Sequence, residues 1–384
     1  MSNKAKKITE TESQNTAPVL IEILAAEQGG LGLITLNSEK TLNSLTIDMV
    51  KSISVTLSDW EQNDDISVIV LSGKGKKAFC AGGDIQALYA SATQPEDGQC
   101  KQAEAFFLEE YQLNYKIHSY SKPIICIGNG YVMGGGLGLM AGASHRVVTE
   151  STKLAMPEVS IGLFPDVCGT YFLNHIPYNI GLFFALTGMA MNAKDAIFAK
   201  LANYAMASDS ASSLIDNLST QSWNEDAEKN HLLVDELLKK LAIDEQLLPA
   251  SNIQANQSIL EQACQHSSLG EIVQGILDFD EDNAWLTKAK QALIAGSPFS
   301  LLMIYEQLRR HRYADLQSIF NSELILATNM VRYPEFSEGV RALIIDKDKE
   351  PKWAFDHFSQ IPCSLIEAMF SAPWTENPLT NKFD

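Results

Sequence analysis

The run Ile124-Ile-Cys-Ile-Gly128 is followed, after a short connection, by Gly134-Gly-Gly-Leu-Gly-Leu-Met-Ala141. The first is apolar, β-branched and closed by glycine, the pattern of a buried strand. The second is rich in small residues and reads as the start of a buried, closely packed helix. A strand feeding a glycine-rich helix start belongs to an α/β fold. Gly136-x-Gly138-x-x-Ala141 formally matches a dinucleotide fingerprint. That match is weak, because Asn129–Met133 makes the strand-to-turn distance too long, and Met156-Pro-Glu158 stands where a strand ending in an acid is expected. A second reading is a helix start whose free N–H groups point at a ligand oxygen, with the glycines allowing close approach. Tight helix packing alone would use the same glycines.

Working outward, Val19 to about Ala207 alternates strand and helix signals. Ile21–Ala25, Leu31–Asn37 and Ile66–Ser72 read as strands. Thr46 is a plausible N-cap, and Met49, Ile53, Leu57 and Trp60 then repeat at helical spacing. From about Ser208 the texture changes. Ser208–Asn230 is rich in Ser, Asp and Asn, suggesting a loop or weak helix, and the later apolar segments are helix-like with few strand candidates. The expected organisation is a leader (1–18), a β/α unit (19–207) and a mostly helical region (208–384).

Composition narrows the function. Of 384 residues, 47 are acidic and 29 basic, and the net charge of −18 argues against non-specific nucleic-acid binding. An anionic ligand would need a local cluster of donors. The six cysteines include no C-x-x-C pair, which fits a reducing compartment and neither a disulfide framework nor zinc. No apolar run reaches membrane-spanning length. The first 18 residues lack an apolar signal core, and Glu10 and Glu12 weaken a transit-peptide reading, so a disordered leader on a cytoplasmic protein is expected.

Chemistry concentrates in Met156-Pro-Glu-Val-Ser-Ile-Gly-Leu-Phe-Pro-Asp-Val-Cys-Gly169, which holds Glu158 and Asp166 in an otherwise uncharged, mostly apolar run. Carboxylates so placed have tuned pKa values and suit acid/base work, although an N-cap and a turn residue would read alike. Gly162 and Pro165 make a continuous helix improbable, so a bent loop brings the two acids towards one substrate. A further glycine turn, Phe79-Cys-Ala-Gly-Gly-Asp84, exposes backbone N–H groups, with Asp84 as a candidate cap. Lys74, Lys76 and Lys77 before it suit phosphate groups, or form an ordinary solvated loop. There is no G-x-S-x-G elbow and no H-E-x-x-H, and His145 reads as structural.

Ala78–Asp84, Gly134–Gly136 and Pro157-Glu158, in this order, resemble the crotonase (enoyl-CoA hydratase/isomerase) superfamily. Met156–Gly169 is closer to its 3-hydroxyisobutyryl-CoA hydrolase branch, as are Glu109-Glu-Tyr-x-Leu-Asn114 and Glu338-Gly-Val-Arg-Ala-Leu-Ile-Ile-Asp-Lys-Asp348. The resemblance spans roughly residues 19–355. It implies a ββα superhelix (spiral) core with an acyl-CoA site, followed by a mostly helical C-terminal region. It places an oxyanion hole on the N–H groups of Gly83 and Gly135, and the Ala81 carbonyl facing the adenine. Hydratases of the superfamily use two glutamates; one matches Glu158, and the other follows the glycine triplet by two positions, where this chain has Gly138. Asp166 is an extra acid.

This exchange implies thioester hydrolysis, most specifically of 3-hydroxyisobutyryl-CoA in valine breakdown. Glu158 would be nucleophile or base and Asp166 proton carrier, or the reverse. Glu110 matches a substrate-contacting glutamate, but its neighbour Glu109 could equally be the contact. No cofactor or metal is implied beyond the CoA of the substrate, and a homo-oligomer is possible. An enoyl-CoA hydratase/isomerase and a non-catalytic acyl-CoA-binding protein are the rival readings.

Overall fold

In the computed structural model, residues 16–26, 28–280, 282–380 and 382–383 are described. Most of the expected leader lies outside them. Strands β1 (Val19–Ala25) and β2 (Gly30–Leu36) form an antiparallel pair. Thereafter the chain winds. Strand β3 (Val68–Gly73) joins β2 in parallel, β5 (Ile124–Gly128) joins β3, β7 (His145–Val148) joins β5 and β9 (Tyr204–Ala205) joins β7. After each of β3, β5 and β7 comes a short strand of a second sheet: β4 (Ala78–Cys80), β6 (Tyr131–Met133) and β8 (Lys153–Ala155), all parallel. Every turn thus gives one strand to each sheet and then a helical stretch. This is a ββα spiral, as the resemblance implies.

The helices of this part are α1 (Ile47–Glu61), α2 (Ile85–Thr93), α3 (Lys101–Ser119), α4 (Gly135–Gly142), α5 (Gly169–Asn174), α6 (Gly181–Thr187) and α7 (Ala193–Phe198). Thr46 caps α1 by accepting the Met49 N–H at 3.3 Å, and the stripe Met49, Val50, Ile53, Leu57, Trp60 is buried. Trp60 lies over Gly32, where a Cβ would stand 2.3 Å from the ring. Helix α4 is buried from Gly135 to Met140. A Cβ on Gly136 would meet the Cys80 carbonyl at 2.4 Å, so these glycines do serve close packing of α4 on β4.

Both faces of the large sheet are covered. Ile34, Ile69, Leu71 and Cys126 face a main core that runs on through the C-terminal helices to Leu379. Leu31, Val68, Val70, Ile125 and Val147 face a second core completed by the helices Ala211–Ser219 and Ala227–Lys240. The segment read as a loop or weak helix therefore holds a covering helix, its Leu214 and Leu218 fully buried. Beyond β9 the named elements are helical, and they share the main core with the spiral.

Candidate active site

Two glycine turns and two acidic turns converge at the end of the small sheet. Gly83 follows β4, and Gly135 opens α4 after β6. Among the described residues neither N–H has an acceptor. The first N–H groups of a helix have none within it, so Gly135 is left free by helix geometry. Gly82, at φ 104, makes the first turn possible. Asp84 caps α2 by accepting the Ala87 N–H at 3.2 Å. Lys74, Lys76 and Lys77 are exposed before it.

The two acids sit on different turns. Glu158 opens a 3-10 turn, Glu158–Ile161, which ends in left-handed Gly162 (φ 70). Asp166 is followed by Val167 (φ 49) and Cys168 (φ 72), and the Gly169 N–H donates to the Asp166 carbonyl at 2.6 Å. That is the shape of a type I′ turn, which favours Asn and Gly. The bent loop expected from Gly162 and Pro165 is present, and both carboxyls line one cavity.

The cavity has a volume of about 80 Å³. Among the described residues, Glu110, Glu158 and Asp166 are the only polar side chains in its lining, the rest being glycine turns and apolar walls such as Ile85, Phe106 and Leu163. All three carboxyls are buried. Glu110 Oε1 and Glu158 Oε2 have no hydrogen-bond partner among the described residues. The glycine amides lie close by: a Cβ on Gly134 would stand 2.9 Å from Glu158 Oε1, and one on Gly135 would stand 2.1 Å from Glu110 Oε1. Helix rotation separates the adjacent glutamates of α3. Glu110 faces the cavity, whereas Glu109 is partly exposed and 3.8 Å from Lys51 Nζ. Ala81 sits at the cavity edge, its N–H donating to the Leu42 carbonyl at 3.0 Å.

Burial pushes Glu158 well above the usual carboxylate range, and the charge of Asp166 pushes it further. Burial does the same to Glu110, with Asp166 and Glu158 adding to it. Asp166 is raised by burial to about 6, while the Tyr111 hydroxyl, donating to Oδ2 at 2.7 Å, holds it down. Of the three carboxyls, Asp166 is the one that ionises first. Cys80, beside the cavity, is pushed up to about 12 by burial and stays a thiol. His145 is buried, between Ser144 Oγ at 2.9 Å and Asp235 at 3.3 Å, a structural placement. Among the described residues no His, Cys, Asp or Glu cluster could hold a metal ion, and no helix is long and apolar enough to cross a membrane.

Gly138 separates the possible chemistries. A Cβ there would stand 2.6 Å from Val167 Cβ and 3.0 Å from Asn114 Nδ2. The place of a second hydratase-type glutamate is thus filled by the residue next to Asp166.

The sequence profile of the enoyl-CoA hydratase/isomerase family matches residues 31–370. The chain belongs to this family. Within the enoyl-CoA hydratase/isomerase family it is 34% identical over 354 residues to the mitochondrial 3-hydroxyisobutyryl-CoA hydrolase of Danio rerio, covering 91% of this chain and 90% of that protein. It is 33% identical over 363 residues to the Homo sapiens protein of the same name, covering 94% and 88%. Among solved structures it resembles a carnitinyl-CoA dehydratase from Mycobacterium thermoresistibile, with TM-score 0.83 and 31% identity over 95% of this chain and 100% of that one. An enoyl-CoA hydratase from Rhodobacter sphaeroides gives 0.80 and 30% over 93% and 98%. The spiral core with a helical C-terminal region is the family's architecture.

Motif reading missed two groups that touch these turns. Tyr111 is one, although it lies inside the Glu109–Asn114 motif. Glu323 is the other, and its neighbours in sequence give no signal.

Proposed function

We propose that this enzyme hydrolyses a 3-hydroxyacyl-CoA thioester, with 3-hydroxyisobutyryl-CoA as substrate. One observation carries the choice of hydrolysis over hydration: Val167 closes the space beside Gly138 while Asp166, its neighbour, turns a carboxyl into the cavity that holds Glu158. Relatives bearing the hydrolase name cover nine-tenths of the chain and agree with this. The dehydratase and hydratase likenesses share the fold and a similar identity, and Gly138 is the feature that counts against their chemistry.

The Gly83 and Gly135 N–H groups hold the thioester oxygen, each such donor contributing about 2.7–4 kcal/mol as the oxyanion develops. Glu158, beside Gly134, attacks the carbonyl or activates a water. Direct attack gives an anhydride that water then opens. Burial keeps Glu158 protonated at rest, so its proton passes to ionised Asp166, whose carboxyl can both take and return it, as Glu158 attacks or draws a proton from the water. The proton on Asp166 is delivered to the departing sulfur, so a C–O bond forms, the C–S bond breaks and free CoA leaves as the thiol. Glu110, with an unpartnered buried oxygen, accepts a hydrogen bond from the acyl hydroxyl. The reaction so written uses no cofactor.

A thiol-release assay over 3-hydroxyacyl-, saturated and enoyl-CoA thioesters tests the reading. Free CoA is expected from 3-hydroxyisobutyryl-CoA; enoyl absorbance loss without thiol would establish a hydratase, and tight binding without turnover a binder. Residence in a reducing compartment, the cytoplasm, is proposed from the six cysteines, none of them in a disulfide. The relatives' names place those proteins in mitochondria, and cell fractionation decides between the two.

A further inference from the structure

The turn after Asp166 is disfavoured by its own sequence. Val167 and Cys168 occupy the left-handed region in succession, one of them β-branched, without a glycine or asparagine to ease it. Helix α5 begins there with no side-chain cap of its own. Something outside the segment must hold it.

Glu323, fully buried in the Leu316–Arg332 helix, is placed to do so. Its Oε2 accepts the Cys168 N–H at 2.7 Å and its Oε1 accepts the Thr170 N–H at 2.9 Å. The Thr170 hydroxyl in turn accepts from Gln307 Nε2 at 3.0 Å, within the Pro298–Arg310 helix. The backbone beyond Asp166 is therefore gripped by the C-terminal helices, while Tyr111 grips the Asp166 carboxyl from α3. Burial pushes the Glu323 carboxyl up to about 8, and the free N–H groups of the helix start, where negative charge is favoured, pull against that rise.

We propose that Glu323 is a positioning residue for Asp166. By accepting the Cys168 and Thr170 N–H groups it imposes the turn that aims the Asp166 carboxyl into the cavity. The inference rests on the reading above, in which Asp166 takes part in thioester cleavage. It assigns a role in the reaction to the helical half of the chain, 155 residues beyond Cys168.

A double-mutant cycle between Glu323→Gln and Asp166→Asn tests it, reading kcat and KM for CoA release and the urea midpoint of every variant. Glutamine keeps the shape and one acceptor, but turns an N–H₂ towards an N–H. In the wild-type background E323Q should lower kcat by about 10–100-fold, as misplacement of a reacting group does. KM should stay within about 3-fold, because binding of the CoA is untouched. In the D166N background the same change should alter kcat by less than about 2-fold, since the group it positions is already gone. Equal losses in both backgrounds, or no loss in either, would overturn the proposal. Should E323Q not fold, Glu323→Asp, which draws the carboxylate back by one methylene, enters the same cycle with the same expectation. Full activity of D166N alone would instead remove the reading of Asp166 on which the proposal stands.

Discussion

The two acidic turns reach one cavity on backbones built in opposite ways. The Glu158 turn is local: Pro157 leads in, a 3-10 turn follows, and the left-handed position falls on Gly162. The Asp166 turn places Val167 and Cys168 where glycine would be natural and is held from outside by Glu323. A glycine at 167 would ease the backbone but empty the space beside Gly138, which the valine side chain fills. Local strain is accepted in exchange for a side chain that excludes the second hydratase acid. Strain at a working site is held by the surrounding structure, and here that structure is the C-terminal helical region.

The largest test of this comparison is chemical. Glu158→Gln and Asp166→Asn should each reduce kcat for CoA release by at least about 100-fold, the lower end for acid/base groups. If only one variant is impaired, the turns are unequal in function as well as in construction. Near-normal turnover in both would remove the assignment.

Gly162→Ala comes next. Its φ of 70 suits glycine, and a Cβ would stand 2.3 Å from the Glu335 carbonyl oxygen, which is backbone and cannot swing aside. A loss of about 3 kcal/mol in urea unfolding is expected, from left-handed strain plus the clash. A change below about 1 kcal/mol would show that the Glu158 turn is held by its packing rather than by its glycine.

Much of this was legible in sequence, and the reason is locality. Buried strands, the Thr46 cap and the glycine turns depend on neighbours along the chain, and the structure has them within a few residues of their expected bounds. Gly83, Gly135, Glu110, Glu158 and Asp166 carry motif signals, and all five line one cavity. What depends on distant contacts was not legible. The choice of Glu110 over Glu109 needs the rotation of α3. Glu323 acts through backbone amides far along the chain. The Glu338–Asp348 motif likewise turns out to be a brace. Arg341 binds Glu338, Asp346 and Asp348 at 2.6–2.8 Å, and Gly339 lies so close to Ile161 that a Cβ would come within 2.5 Å of its carbonyl carbon.

Asp166→Asn has a second effect, on stability. The folded protein raises Asp166 from an ordinary 3.8 to about 6, so folding favours its protonated form. That stabilisation is complete below about pH 4 and is lost as pH rises through about 6. Asparagine does not ionise. The variant should match wild type near pH 4 and exceed it at pH 7–8 by an amount on the order of 2–3 kcal/mol, taking about 1.4 kcal/mol per unit. Urea midpoints at several pH values would show the gap opening between about pH 4 and 6. A gap constant with pH would mean that the gain comes from packing and not from the charge.

The smallest effect is the most discriminating for the comparison. Cys168→Gly places glycine at φ 72, relieving left-handed strain of about 1–2 kcal/mol. It also deletes a fully buried thiol and frees the unfolded chain, each costing about 1 kcal/mol. The terms nearly cancel, so the urea midpoint should move by the equivalent of about 1 kcal/mol or less in either direction. Gly162→Ala and Cys168→Gly are mirror changes at the same kind of backbone position, and they should differ in cost by about 2 kcal/mol or more. If Cys168→Gly is instead as costly as Gly162→Ala, the Asp166 turn is specified by its side chains filling the core. Glu323 would then cap a turn already fixed, and the two turns would differ less in origin than their backbones suggest.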